Sequence, residues 1–144
     1  MSSKDPYEFE FRRQVSFDKD NSAIYDKLKS VSKSFFYQLT FAKIFITAMA
    51  LGLARAHRTP LKKKIPNIYT DVWTDEEKWI IISAFMKEKP KLGVKALFEP
   101  NEILDLAEEY ANAGIKYLDL LYEQSTEPLD ELENELRDHL KCKS

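Results

Sequence analysis

Phe35-Phe36-Tyr37-Gln38-Leu39-Thr40-Phe41-Ala42-Lys43-Ile44-Phe45-Ile46-Thr47-Ala48-Met49-Ala50-Leu51-Gly52-Leu53-Ala54 is the most apolar stretch of the 144-residue chain, with fifteen apolar residues in twenty. A run of about twenty apolar residues is enough to cross a bilayer. Lys43 stands near its centre, where insertion of a lysine costs about 2.5–3.5 kcal/mol. The flanking sequence reads as ordinary helices with one polar face. The stretch therefore predicts a buried central helix over 35–54 and no membrane span. No charged n-region and cleavage site precede it, so it is not a signal peptide.

Downstream, residues 55–72 hold Pro60, Pro66 and the run Lys62-Lys63-Lys64, which predicts a loop. Thr74-Asp75-Glu76-Glu77 spells a capping box, with acids suited to the positive end of a helix dipole. That helix should stop before Pro90. Pro100 suits the first position of the next helix, to about 124, with Ile103, Ala107, Tyr110, Gly114, Leu118 and Leu121 as its inward stripe. Gly114 either permits a close helix crossing or breaks the helix. A last helix over about 128–141 presents Leu129, Leu132, Leu136 and Leu140.

Upstream, Tyr7, Phe9, Phe11, Val15 and Phe17 alternate, with Arg13 interrupting. This period of two predicts a short strand around 12–17. An Asp18-Lys19-Asp20-Asn21 turn follows, and Ser22 caps a helix over about 23–33. The expected fold is mostly α: about five helices around the central one, with a short N-terminal strand. A flexible lead over 1–11 precedes a single helical domain over 12–144.

Composition excludes several chemistries. With three glycines the chain has no glycine-rich phosphate loop. The lone Cys142 excludes a disulfide framework or cysteine zinc site within one chain and fits a cytoplasmic protein. His57 lies in a basic setting unsuited to a general base, and His139 with Glu135 is an ordinary helix-surface spacing. Asp105 and Glu109 form a carboxylate pair that acid–base chemistry would need in a cleft. A solvated face is the simpler reading. No catalytic residue, metal ligand or cofactor is expected, and the protein reads as non-enzymatic.

Charge is distributed unevenly. Residues 21–68 carry nine Lys/Arg against Asp26 alone, and residues 96–144 carry four against thirteen acids. Either the basic block meets phosphates and the acidic block a partner, or the two blocks face each other. The order strand, helix, longer helix also fits a ribbon–helix–helix-like unit, in which strands of two chains pair and enter the major groove. Arg12 and Gln14 would then face bases. Arg55, Arg58, Lys62, Lys63 and Lys64 would contact the phosphates of double-stranded DNA. Ser32 or Ser34, at the start of the second helix, would hold a further phosphate. An unpaired strand edge in a monomer predicts a homodimer. The simpler reading is a strand packed on its own helices.

The stretch from Phe45 to Lys64 resembles the central motif of the small Dnd-system-associated proteins, through Gly52-x-x-x-x-x-Arg58-Thr59-Pro60-Leu61. Trp73-Thr74-Asp75-Glu76-Glu77, Leu106 to Ile115 with Glu109-Tyr110-Ala111-Asn112-x-Gly114, and Pro128-Leu129-Asp130 resemble later pieces in order and spacing. Similar proteins tend to have a glycine before the arginine, where this chain has Ala56-His57. The resemblance implies a helical protein found with prokaryotic DNA phosphorothioation modification and restriction systems, a form of antiviral defence. It implies a context and no catalytic residues. The expected function is a non-enzymatic, DNA-associated accessory protein. The alternative is an adaptor that docks another subunit through its acidic C-terminal helices.

Overall fold

Thr40 has an extended backbone, and its hydroxyl accepts the Lys43 N–H at 3.4 Å. It therefore caps the central helix, which begins at Phe41 rather than at residue 35. The computed structural model describes residues 13–30, 40–88, 100–124 and 128–143. Among them run β1 (Gln14–Asp18), α1 (Ser22–Ser30), α2 (Phe41–Ala54, the central helix), β2 (Lys64–Tyr69), α3 (Asp75–Glu88), α4 (Pro100–Gln124) and α5 (Pro128–Lys143). The chain is mostly helical with one short sheet, as the sequence predicts. Arg12, Ser32 and Ser34 lie outside the described residues. No helix among the described residues is long and apolar enough to cross a membrane.

Helices α2 and α4 cross with their backbones nearly touching. A Cβ on Gly52 would lie 2.1 Å from the carbonyl oxygen of Tyr110, and one on Gly114 would lie 1.7 Å from that of Ala48. Gly114 thus serves the crossing and does not break α4. Ile44, Phe45, Ala48, Leu51, Ile103, Leu104, Ala107, Ile115 and Leu118 are buried around it. Phe17 of β1, Tyr25 of α1 and Phe41 of α2 form an aromatic triangle with centroids 4.9–6.0 Å apart. Trp73 lies against Phe45 and donates its indole N–H to the Ala42 carbonyl at 3.0 Å. Phe85 of α3 meets Tyr110 edge-on.

The capping box before α3 forms as written in the sequence. The Thr74 hydroxyl accepts the Glu77 N–H, and the Glu77 carboxylate accepts the Thr74 N–H, each at 3.1 Å. At the C-terminal end of α2, Ala56 takes a left-handed conformation (φ 52°). The His57 N–H reaches the Gly52 carbonyl at 2.9 Å and the Ala56 N–H reaches the Leu53 carbonyl at 3.0 Å. These two bonds make a Schellman cap, at a position that glycine fills without steric penalty.

The predicted loop over 55–72 requires correction, because residues 64–69 are a strand. β1 and β2 pair antiparallel, with Val15 opposite Ile68 and Phe17 opposite Ile65. The register shifts between these pairs, so Pro66 and Asn67 together oppose Ser16. Such a bulge accommodates a residue that has no N–H to donate. β1 therefore finds a partner in its own chain, so it is not the unpaired single strand from which the homodimer was expected. On β1, the Ser16 N–H donates to the buried Glu108 of α4 at 2.6 Å.

Two substitutions probe this framework. Gly114→Ala should destabilise the protein by about 3 kcal/mol, because backbone rather than a flexible side chain meets the new methyl. Ala56→Gly should stabilise it by about 1 kcal/mol through relief of the left-handed strain. Urea unfolding midpoints measure both, and a neutral Gly114→Ala would contradict the close crossing.

Candidate nucleic-acid interface

The basic block leaves the end of α2, runs over α4 and enters β2. Asn112 of α4 holds this path in place. Its side-chain N–H groups reach the carbonyls of Thr59 at 3.1 Å and Pro60 at 3.4 Å, and its oxygen accepts from Asn21 at 2.5 Å. The Thr59 N–H donates to the Glu109 carbonyl at 3.0 Å. The segment 59–60 is thus fastened to α4 before the lysine run begins.

Most of the cations along this path meet acids of the C-terminal half. Arg55 makes a two-pronged contact with Glu135 of α5, at 3.0 Å through Nε and 2.7 Å through Nη2. Its guanidinium lies 4.3 Å from the centre of the Tyr117 ring. The hydrogen bond to Glu135 raises the Arg55 pKa above its ordinary value, outweighing the opposing effect of burial. Arg58 faces Glu109 at 3.8 Å, and Lys64 faces Glu108 at 3.2 Å. On α1, Lys27 is paired with both Asp119 and Glu123 of α4. His57 Nδ1 is 2.5 Å from the Tyr117 hydroxyl. The two charged blocks face each other over much of their length, which is one of the two readings the sequence leaves open.

Lys62 and Lys63 differ from their neighbours. Both are exposed, and neither side chain has an ion-pair partner among the described residues. Their backbone is fixed from below. The buried Asp18 carboxylate at the end of β1 accepts the Lys62 N–H at 2.9 Å and the Asp20 N–H at 3.1 Å, and the Lys19 N–H donates to the Lys63 carbonyl at 2.9 Å. Burial alone would raise the Asp18 pKa. Backbone N–H groups of Lys62, Asp20 and Lys63, with the Lys62 charge, outweigh it and hold the carboxyl below its ordinary value. Asp18 was not among the expected site residues. Its signal was an acid at the end of an apolar alternation, where a turn must be fastened.

Gln14 and Ser16 sit beside a groove of about 410 Å³ with Arg13, Lys64, Pro66, Asp105 and Glu108. The Gln14 side chain donates to the Pro66 carbonyl at 2.8 Å. Arg13 stands 4.0 Å from Asp71 with most of its side chain exposed. Of the carboxylate pair expected from spacing, Asp105 lines the groove and Glu109 faces Arg58 instead. Glu108, between them in sequence, is the buried one. The seven expected contact residues differ in their surroundings. Arg55, Arg58 and Lys64 are paired, Gln14 bridges the strands, Lys62 and Lys63 project, and Arg12 is outside the described residues.

A family model described as DNA sulphur modification system-associated protein 4 matches residues 14–143. No curated protein and no solved structure matches the chain.

The Asp18 clamp has a pH signature. Its pKa is lower folded than unfolded, so its stabilisation is present above the unfolded value, near 3.9 on the usual carboxylate scale, and disappears as pH falls through the folded value. Asp18→Asn should cost about 1–2 kcal/mol at pH 7. It should also flatten the decline of stability below about pH 4. Urea titrations at pH 7 and pH 3.5 test this, and an equal cost of the substitution at the two pH values would exclude the clamp.

Proposed function

The chain belongs to the family of DNA sulphur modification system-associated protein 4, and we propose that it serves such a system as a non-enzymatic accessory protein that touches the DNA backbone. Lys62 and Lys63 make the contact in this reading. The observation that carries it is their exposure without an ion-pair partner among the described residues, on a turn fastened by Asp18 and Asn112, while neighbouring cations are neutralised by the chain's own acids. Two lysines on a fixed turn suit a phosphate backbone. They carry no base readout, and sequence preference is left to other components of the system. The role needs no catalytic group and is suited to the cytoplasm, where such DNA is found. It needs no homodimer either, since one chain carries both lysines.

A second reading is favoured by α5. Asp130, Glu131, Glu133 and Asp138 are exposed along it, a surface that suits docking on a basic partner subunit. In that reading the protein is an adaptor and does not touch DNA.

Salt separates the two. A wild-type protein that contacts phosphates should bind plain and phosphorothioated duplexes with log affinity falling linearly against log salt. Lys62→Ala with Lys63→Ala should lower that slope by roughly 0.9 for each phosphate the protein no longer neutralises. A double variant that keeps both affinity and slope would remove these lysines from the interface. Absence of binding at low salt would leave the adaptor reading.

A further inference from the structure

We propose that α5 is an autoinhibitory cover on the DNA-binding surface, in which Glu135 occupies the guanidinium fork of Arg55 that a phosphate would otherwise take. The inference rests on the proposed DNA contact and extends it to a second site with its own control. Four observations support it.

The first is the geometry of the pair. Nε and Nη2 of Arg55 meet the two oxygens of Glu135 at 3.0 and 2.7 Å. A guanidinium presents the same two donors to a phosphate as to a carboxylate, so the groups compete for one fork. The second is orientation. Tyr117 lies under the Arg55 guanidinium at 4.3 Å, and its hydroxyl is held by His57 at 2.5 Å. This support comes from α4 and from the residue after the left-handed Ala56, so it stays in place when α5 leaves.

The third observation is the exposure of α5 along its described residues 130–138. Leu132 is buried, Leu136 is half-buried, and the described charged residues on its other faces are largely exposed. The pair itself is partly open to solvent, with side-chain exposures of 40% for Arg55 and 29% for Glu135. The fourth is repulsion. Glu131 and Asp138, one turn to either side of Glu135 on the same helix face, are exposed, so a duplex reaching Arg55 with α5 in place would meet like charge. Displacement of α5 removes both the competitor and the repulsion. DNA first held at Lys62 and Lys63 would then gain Arg55.

The test uses the full chain and a plain DNA duplex. Glu135→Gln removes the competing carboxylate. Glu133→Gln makes the same charge change on an exposed neighbour that does not pair with Arg55 and is the control. Glu135→Gln should raise duplex affinity by roughly fivefold at low salt, as expected when an exposed ion pair is released. It should steepen the salt slope by roughly 0.9, one further phosphate. Glu133→Gln should leave the slope unchanged, and Arg55→Ala added to Glu135→Gln should abolish the gain. In the wild type, saturating DNA should accelerate amide hydrogen exchange in α5. Equal effects of Glu135→Gln and Glu133→Gln, or α5 exchange unaltered by bound DNA, would overturn the cover while leaving Lys62 and Lys63 as the contact. If neither wild type nor Glu135→Gln binds duplex at low salt, the DNA reading itself falls.

Discussion

The backbone contact between α2 and α4 is the constraint on which the rest depends. Gly52 meets the Tyr110 carbonyl and Gly114 meets the Ala48 carbonyl, with no room for a methyl at either point. Interaxial distance and crossing point are set there, since interiors are packed too densely to absorb a shift. Once α2 is fixed on the middle of α4, its C-terminal end must emerge beside Glu109 and Asn112. The chain that follows is fastened along α4 by the Thr59 and Asn112 hydrogen bonds and is delivered to β1 as β2. The segment Glu108 to Gly114 therefore does structural tasks residue by residue: Glu108 holds β1, Glu109 faces Arg58, Tyr110 meets Phe85 and Gly52, Asn112 ties the loop, and Gly114 makes the crossing.

The same crossing explains the pairing of charges far apart in sequence. Arg55 and Glu135 are 80 residues apart, and Lys27 and Glu123 are 96 apart. Exposed pairs of this kind contribute about 0–1 kcal/mol each, so they do not hold the fold together. Their consequence is electrostatic: they neutralise most of the basic block. The buried carboxylates behave differently. Glu108 and Asp18 accept backbone N–H groups in places closed to water, where removal of an acceptor strands a donor at about 1–3 kcal/mol. Asp18 fastens the strand end, the half-exposed acids neutralise cations, and Glu108 does both, holding the Ser16 N–H and pairing with Lys64.

The helices were legible because their signals are local. Thr74 and Glu77 form the box that their spacing implies, and Pro100 and Pro128 open helices as expected. β2 was not legible. Pro66 and three lysines read as loop, and only the bulge opposite Ser16 reconciles them with a strand. The start of α2 was misread because Thr40 is a single polar break between apolar residues, and its extended backbone cannot be seen in composition. For the candidate site, the sequence identified the cations but not their availability. Whether Arg55 or Lys63 is neutralised depends on which acid the crossing brings to it. The sequence offered the facing of the two blocks only as one of two possibilities.

The two kinds of cation differ in what surrounds them. Lys62 and Lys63 stand on a turn whose backbone is held by a buried carboxylate and by an amide on α4. They present charge without any rearrangement. Arg55 stands on a rigid cap, oriented by Tyr117, with its fork filled by Glu135 of α5 in a pair that is partly open to solvent. An exposed pair near 1 kcal/mol exchanges one anion for another readily, whereas a buried clamp does not. In the proposed reading, the division between a permanently available contact and an exchangeable one follows from burial. Both are placed by one glycine-mediated crossing, and neither requires a catalytic group.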